Sequence, residues 1–465
     1  MQNNLSDAQR EVAEIGEKLN RFLRSARYAQ KRAEIEELVE FDSAKAAERL
    51  DRILAHARTT VPRYRPLQDH PKPALRDFPL TRKSDLHDRF IDSISRDETG
   101  RMEAGRYFIH ETSGSTGQPV RLLSTTETGG LSTLVIAERL NRYLGLPDTG
   151  TELNLGLHFE GTPLVEAGYL PRPYVRCNLR GFDPSSPAIV ETYAAVVGAF
   201  PVDRIVGTSS RLVSLARYCL DRGVRVRPRA VVASYEHLAE EGRRMIEEAF
   251  QCPVTMVYVT SETGTAAWEC RQGNLHFQDD FVTPELLPYH DDQALRSVVL
   301  TGLLTRVMPV IRYVTGDLCS PPTLCGCGLP GTAVDSLVGR AKATLVGGDG
   351  RVYSPYALLA ALSNAGLADF QVLQERPGVL QLIVPPATGE AGRCVESINR
   401  DLAGYFRDGR GFRLELSTTG TFVLSGQGKR NPVVQRLEVA PGAMEGTGYL
   451  RSGVRSDAYT GPVTV

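Results

Sequence analysis

Four short stretches of the chain combine residue types that could handle a nucleotide. The first is "TSGSTGQP", in which Ser113, Gly114, Ser115, Thr116 and Gly117 offer hydroxyls and closely approachable backbone N–H groups. A polyphosphate is held by such a concavity, although a flexible surface loop has the same composition. The stretch is not a Walker A loop, because no Gly-Lys-Ser/Thr follows. The second is "VYVTSETG", where an apolar strand runs into Thr260, Ser261 and Glu262. A carboxylate with hydroxyls at a strand end suits Mg²⁺ shared with phosphate oxygens; the alternative is a solvated turn Glu. The third, "RYVTGDL", ends an apolar run with Asp317, which can accept hydrogen bonds from two ribose hydroxyls or simply close a turn. The fourth, "LSGQGKRNPVVQR", carries Lys429 on a Gly-rich loop, either solvated or able to neutralise developing negative charge. It too fails as a Walker A loop, with Val423 and Arg430 at the diagnostic positions.

A fifth constellation has ligand chemistry. Cys270 and His276 flank a polar loop in "ECRQGNLH", and Cys325 and Cys327 form "CGCG". Three thiols and one imidazole match a closed structural Zn²⁺ site; unrelated buried cysteines are the alternative. Cys319 is a spare candidate ligand.

These residues need a scaffold. "DRIVGTSS", "RAVVAS" and "PVTMVYVT" read as strands. "SRLVSLARYCLDRG" and "HLAEEGRRMIEEAF" read as amphipathic helices, the first ending at Gly223. Strand–helix alternation from about Arg106 to Val338 predicts an α/β fold with mostly parallel strands, whose ligands gather beyond the strand carboxyl ends. Ahead of it, "AEIGEKLNRFL" and "AERLDRILAHA" have helical spacing, with Asp42-Ser43 as an N-cap for the second. From about Ala341 to Val434, short strands such as "DFQVLQ" and "VLQLIVP" mix with helices, which predicts a small separate α+β domain. From about Leu437 the chain is Gly-rich and aperiodic, as an irregular tail would be.

Composition narrows the class. A chain of 465 residues exceeds one ordinary core. A formal net charge of -1 leaves no nucleic-acid footprint, and no apolar run approaches the roughly 18 residues of a membrane span. Eight cysteines with no signal-peptide pattern argue for a reducing, cytoplasmic setting.

Taken in order, the motifs resemble those of the adenylate-forming superfamily of acyl-CoA synthetases, and most closely its phenylacetate–CoA ligase branch. "TSGSTGQP" resembles that family's phosphate loop, "YVTSET" its Tyr-x-x-Ser/Thr-Glu motif and "RYVTGDL" its Tyr-x-Thr-Gly-Asp-Leu motif. "GRAKATL" resembles the hinge and "GQGKR" the late lysine motif; "FPLTRKSDL", "GTSSRLVSLA" and "ECRQGNLH" add lesser echoes. The resemblance spans about residues 45 to 435.

The resemblance implies a large multi-layer α/β domain over 1–340, with a helical segment over 1–60, and a small mobile α+β lid over 341–465 that is irregular from about 436. It implies AMP-forming activation of a small or aromatic carboxylic acid by ATP and Mg²⁺, domain rotation, then transfer to coenzyme A. Ser113, Gly114, Ser115, Thr116 and Gly117 would hold phosphates, Glu262 Mg²⁺, and Asp317 the ribose. Arg340 would position ribose or phosphate, Lys342 would be the hinge, and Lys429 would assist adenylation. Tyr235 and Glu236 fall in "SYEHL" at a pocket stretch beside adenine, with Tyr258 and Ser261 on the nucleotide side. The branch has similar Cys/His positions, which favours zinc at Cys270, His276, Cys325 and Cys327. Part of "GLHFEGT" and Tyr235 would line the acid pocket, with His158 either a substrate contact or a satisfied structural histidine. Gln118 stands where a Lys often ends the phosphate loop, and Ser234 and His237 replace the usual Gly and Pro. Expected partners are the acid, ATP and coenzyme A, with a carrier protein or a second copy of the chain as further candidates, and neither nucleic acid nor membrane. The alternatives are transfer to an amine or carrier protein, AMP transfer to a hydroxyl, and a silent nucleotide-binding protein.

Overall fold

The computed structural model describes residues 26–99, 107–111, 120–125, 131–155, 165–168, 171–172, 174–178, 202–236, 238–289, 292–340, 345–348, 352–353, 369–384, 412–417, 421–423 and 430–437, with isolated positions between 355 and 399. Five longer helices matter here: α1 (Ala26–Leu38), α2 (Ser43–Thr60), α3 (Leu131–Tyr143), α4 (Ser209–Arg222) and α5 (Glu240–Phe250). Asp42 caps α2 by accepting from the Lys45 N–H at 3.0 Å, as its position ahead of Ser43 predicts. Gly223 ends α4 in the left-handed region at φ 66°.

The chain opens its strands with a hairpin, β1 (Tyr107–Glu111) and β2 (Arg121–Thr125), which brackets the "TSGSTGQP" loop. Then come β3 (Gly150–Leu155), β4 (Val165–Gly168), β5 (Tyr174–Asn178), β6 (Arg204–Thr208), β7 (Ala230–Ser234), β8 (Val254–Thr260), β9 (Gly264–Glu269) and β10 (Leu275–Phe277). Next are β11 (Val282–Tyr289), β12 (Asp292–Gly302), β13 (Tyr313–Cys319), β14 (Pro322–Thr323), β15 (Ala333–Val334) and β16 (Leu337–Arg340).

One ten-stranded sheet has the order β14-β15-β10-β9-β8-β7-β6-β3-β5-β4. Its centre, β5-β3-β6-β7-β8, is parallel throughout. β7 is buried along its whole length, as a central strand covered on both faces must be. Its Val231 and Ala233 pack with α4 and α5, while Val232 packs with α1 and α3 on the opposite face. The large unit is therefore layered helix, sheet, helix.

The strand–helix alternation stops at Thr260, earlier than the sequence pattern suggests. From β8 onward pairing is antiparallel, through β9, β10 and the sheet β11-β12-β13-β16. The cause is connection length. Three turn residues, Ser261 to Thr263, join β8 to β9, and so short a link permits only a hairpin.

A second core lies toward the C-terminus. β17 (Leu345–Val346) pairs with β18 (Val352–Tyr353), and β19 (Gln371–Arg376), β20 (Val379–Ile383), β21 (Arg413–Leu416) and β22 (Val433–Gln435) form a separate sheet of order β21-β20-β19-β22. Leu345, Leu358, Leu362, Val372, Leu380 and Leu414 fill its core. The fold is thus a large α/β domain followed by a small C-terminal one. The expected tail and the first N-terminal helical pattern, residues 13–23, lie outside the described residues. Among the described residues no helix is long and apolar enough to cross a membrane.

Candidate active site

Three parallel strands end side by side, and each hands the chain to polar residues. β6 leads to Ser209 and Ser210, β7 to Tyr235 and Glu236, and β8 to Ser261 and Glu262. This is the edge where ligands of an open α/β sheet collect, because loops rather than side-chain layers cap it.

Two hydrogen bonds join the "TSET" and "YVTGD" motifs. The Tyr313 hydroxyl donates to Oε1 of Glu262 at 2.7 Å, and the Tyr258 hydroxyl donates to Oδ2 of Asp317 at 2.7 Å. Each motif therefore supplies the tyrosine that holds the other's carboxylate. Gly316, at φ 77°, bends β13 between Thr315 and Asp317. Thr315 accepts from the Asp317 N–H at 3.0 Å and donates to Val298 O at 2.9 Å, which fixes the carboxylate's root. Glu262 sits in a turn closed by the Thr263 N–H donating to Oγ1 of Thr260 at 3.1 Å. Ser261 is exposed in the same turn. Arg340 is the strand partner of Asp317 across β13 and β16, so the "GRAKATL" and "YVTGD" motifs meet in register; its side chain is not among the described ones.

The root of the "YVTGD" strand is buttressed from the N-terminal region. Thr81 of "FPLTRKSDL" is fully buried; its N–H donates to Arg312 O at 2.8 Å and its hydroxyl to Ile311 O at 2.7 Å. Arg312 stands at φ 48° and donates through its guanidinium to Glu285 at 3.0 Å. A non-Gly residue with φ in this region is strained and persists only where surrounding bonds over-determine it.

Tyr235 also has a positive φ, 69°, and the residue is 50% exposed at the strand-end edge. Its neighbour Glu236 is hydrogen-bonded through both carboxylate oxygens. Its carboxylate accepts from the Ser210 N–H at 2.9 Å and from the Arg430 N–H at 2.9 Å. Ser113, Gly114, Ser115, Thr116, Gly117, Gln118, His158, His237, Lys342 and Lys429 lie outside the described residues.

The Lys429 loop nevertheless has described ends. The buried Gln371 side chain accepts from the Val423 N–H at 2.7 Å, and donates to Val423 O at 2.9 Å and Asn431 O at 2.8 Å. One amide thus ties Val423 to Asn431, on either side of the segment that carries Lys429. Neither Gln371 nor Tyr313 stands out by composition; Tyr313 could have been found from its fixed spacing ahead of Asp317.

The metal-ligand constellation comes together. The donor atoms of Cys270, His276, Cys325 and Cys327 all lie within 4.8 Å of one another. Cys270 Sγ is 3.7 Å from Cys325 Sγ, and Cys327 Sγ is 3.3 Å from His276 Nε2. A tetrahedron with Zn–S bonds of about 2.3 Å has sulfur–sulfur edges of about 3.8 Å, so the donor set fits. His276 Nδ1 faces Pro330 O at 3.2 Å, the outer contact that turns Nε2 toward a metal. Gly331, at φ 89°, lets the loop cross β10, since a Cβ there would lie 2.0 Å from Phe277 O. Hydrogen bonding, first from Asn274, lowers the Cys325 thiol, while desolvation raises Cys327. Cys319 is not one of the four; it is buried in the core, and desolvation pushes its thiol up to about 12. The six residues of β9 separate the cluster from the Glu262 turn by on the order of 20 Å.

No protein-family model matches the chain. It is 27% identical over 376 residues to a phenylacetate-coenzyme A ligase of Thermus thermophilus, covering 72% of this chain and 78% of that protein. It is 26% identical to a phenylacetate-coenzyme A ligase of Pseudomonas putida, over 64% and 70% of the two chains. Among solved structures, 2-hydroxyisobutyryl-CoA ligase in the postadenylation state with 2-HIB-AMP superposes with a TM-score of 0.61 at 16% identity, covering 89% of this chain and 92% of that one. The ordered motifs, the fold and these relatives agree: the chain has the fold of the adenylate-forming ligases and is similar in sequence to the phenylacetate–CoA ligase branch of that superfamily.

Proposed function

We propose that the protein is an AMP-forming carboxylate–CoA ligase acting on a small or aromatic acid. The observation that carries this reading is the paired Tyr313–Glu262 and Tyr258–Asp317 arrangement at the carboxyl ends of the parallel strands. It offers one carboxylate for a metal and one for a ribose, each held by a tyrosine of the other motif. The similarity to phenylacetate-coenzyme A ligases supports the reaction class.

In the first half-reaction a carboxylate oxygen attacks the α-phosphorus of ATP, giving an acyl-adenylate and pyrophosphate. Ser113, Gly114, Ser115, Thr116 and Gly117 hold the phosphates, Asp317 accepts from the ribose hydroxyls, and Arg340 positions ribose or phosphate. Tyr235, Tyr258 and Ser261 border the nucleotide. Lys429 stabilises the charge that builds between carboxylate and α-phosphate. Glu262 is the residue that would hold Mg²⁺, which when bound neutralises phosphate charge. Tyr313 leaves one Glu262 oxygen for that purpose.

In the second half-reaction the coenzyme A thiol attacks the acyl carbonyl and AMP leaves. The small domain, which we place after residue 340 with Lys342 as hinge, turns between the two steps. Cys270, His276, Cys325 and Cys327 would hold a structural Zn²⁺ that pins the β9–β10 end of the sheet.

The test is pyrophosphate release with ATP and a panel of carboxylic acids, with and without coenzyme A. Acid-dependent release together with an acyl-CoA product is expected. Release with no acyl-CoA product would favour an amine, carrier-protein or hydroxyl acceptor; no release with any acid would favour a silent nucleotide-binding protein.

A further inference from the structure

Glu236 spends both carboxylate oxygens on backbone N–H groups from different domains. Oε2 accepts from Ser210, in the first turn of α4, and Oε1 accepts from Arg430, 194 residues further on. The Ser209 hydroxyl donates to Glu236 O at 3.0 Å, so the Glu236 backbone is tied to α4 as well. A reciprocal contact runs the other way. Asp369 of the small domain, whose side chain is 1% exposed, takes Arg217 of α4 at 3.5 Å and also pairs with the Arg430 guanidinium. That guanidinium lies over the Phe422 ring at 4.1 Å. Between the two acids, Val213 and Leu238 face Phe370 and Pro432 across a cleft, and Ala239 packs onto the small domain's core.

From this geometry we propose that Glu236 is a positioning residue. It clasps the small domain in the orientation that serves adenylation, by gripping the peptide N–H immediately after Lys429. The inference rests on the adenylation reading for its catalytic consequence, but the clasp itself does not. The carboxylate belongs to the large domain on physical grounds. The first turn of a helix presents unpaired N–H groups and the positive end of the helix dipole, both of which favour an anion. When the small domain turns, Glu236 stays with α4 and the Arg430 N–H is the partner that leaves. A charge-assisted hydrogen bond of this kind biases a two-state equilibrium by roughly tenfold or more. Asp369 with Arg217 supplies the second grip, so two contacts must break together.

Hydrogen exchange on the full chain without ligands tests the clasp. Glu236→Ala is expected to speed exchange about tenfold in peptides covering 430–437 and 209–213, with β8 unchanged. Unaltered exchange at 430–437 overturns the proposal. Glu236→Gln, close in volume but neutral, and Arg217→Met, which removes the second grip, give the same readout if Glu236→Ala does not fold. The catalytic consequence is read from the half-reactions. Adenylate formation should fall at least tenfold in Glu236→Ala, while thioester formation from preformed adenylate changes less than twofold. Equal slowing of both steps would refute the positioning role. If the wild-type chain makes no adenylate from any acid, the functional reading fails, and exchange at 430–437 still decides the clasp.

Discussion

The hydroxyl of Tyr313 donates to Glu262 at 2.7 Å across the boundary between two sequence motifs, and Tyr258 returns the contact to Asp317 at the same distance. The two acids expected to serve metal and ribose are therefore coupled mechanically. Displacing either one costs the hydrogen bond to the tyrosine on the other motif.

Tyr313→Phe removes one hydrogen bond and leaves the ring's packing. With Glu262 as the metal carboxylate, the Mg²⁺ concentration for half-maximal pyrophosphate release should rise about three- to tenfold, matching a net loss of about 0.5–1.5 kcal/mol. The KM for the acid should stay within twofold. Tyr258→Phe should raise the KM for ATP instead. A magnesium titration that is superimposable on wild type would remove Tyr313 from this role.

The Gln371 amide ties Val423 to Asn431, which flank the segment that carries Lys429. Gln371→Leu removes the partner of three part-buried backbone groups and should lower stability by about 1–3 kcal/mol in urea denaturation. Lys429→Ala should leave stability unchanged and slow adenylation far more than thioester formation from preformed adenylate. Equal slowing of the two steps by Lys429→Ala would contradict its assignment.

The four-donor cluster should hold close to one zinc per chain in protein purified without added metal, measured by elemental analysis. Cys325→Ser should drop that figure well below one and lower the melting temperature. Metal content near zero in the wild type would end the zinc assignment. Because β9 separates the cluster from Glu262, chelation should unfold the β9–β10 region before it changes the KM for ATP.

Glu152 lies buried between Arg204 and Arg176. Burial alone would raise its pKa, but the two guanidiniums outweigh that and hold it below its ordinary value of 4.5. A depressed carboxylate contributes stability above its unfolded pKa and loses it as pH falls through the folded one. The melting temperature should therefore decline as pH drops below about 4.5. Glu152→Gln should cost about 1–3 kcal/mol at neutral pH by removing the charge that both guanidiniums face, and should flatten the acid limb. An unchanged acid limb in that variant would locate the titrating group elsewhere.

Much of this was open to reading in one dimension. The α4 and α5 helices, the β6, β7 and β8 strands and the caps at Asp42 and Gly223 follow from local periodicity and backbone chemistry, which involve only near neighbours. The order of motifs from "TSGSTGQP" to "GQGKR" pointed to the superfamily, and the Cys/His set was identifiable from donor type alone. What local pattern could not supply was every contact whose partners lie far apart in the chain. Residue spacing does not pair Tyr313 with Glu262, or set Thr81 beneath Arg312. Nor does it gather Cys270, His276, Cys325 and Cys327 within 4.8 Å of one another. The shift to antiparallel pairing after Thr260 was missed because apolar strands look alike in either direction, and only the three-residue link decides between them. Glu236 is the sharpest case. Its place in "SYEHL" suggests a nucleotide pocket residue, and only the docking of the two domains shows that the Ser210 and Arg430 N–H groups converge on its carboxylate.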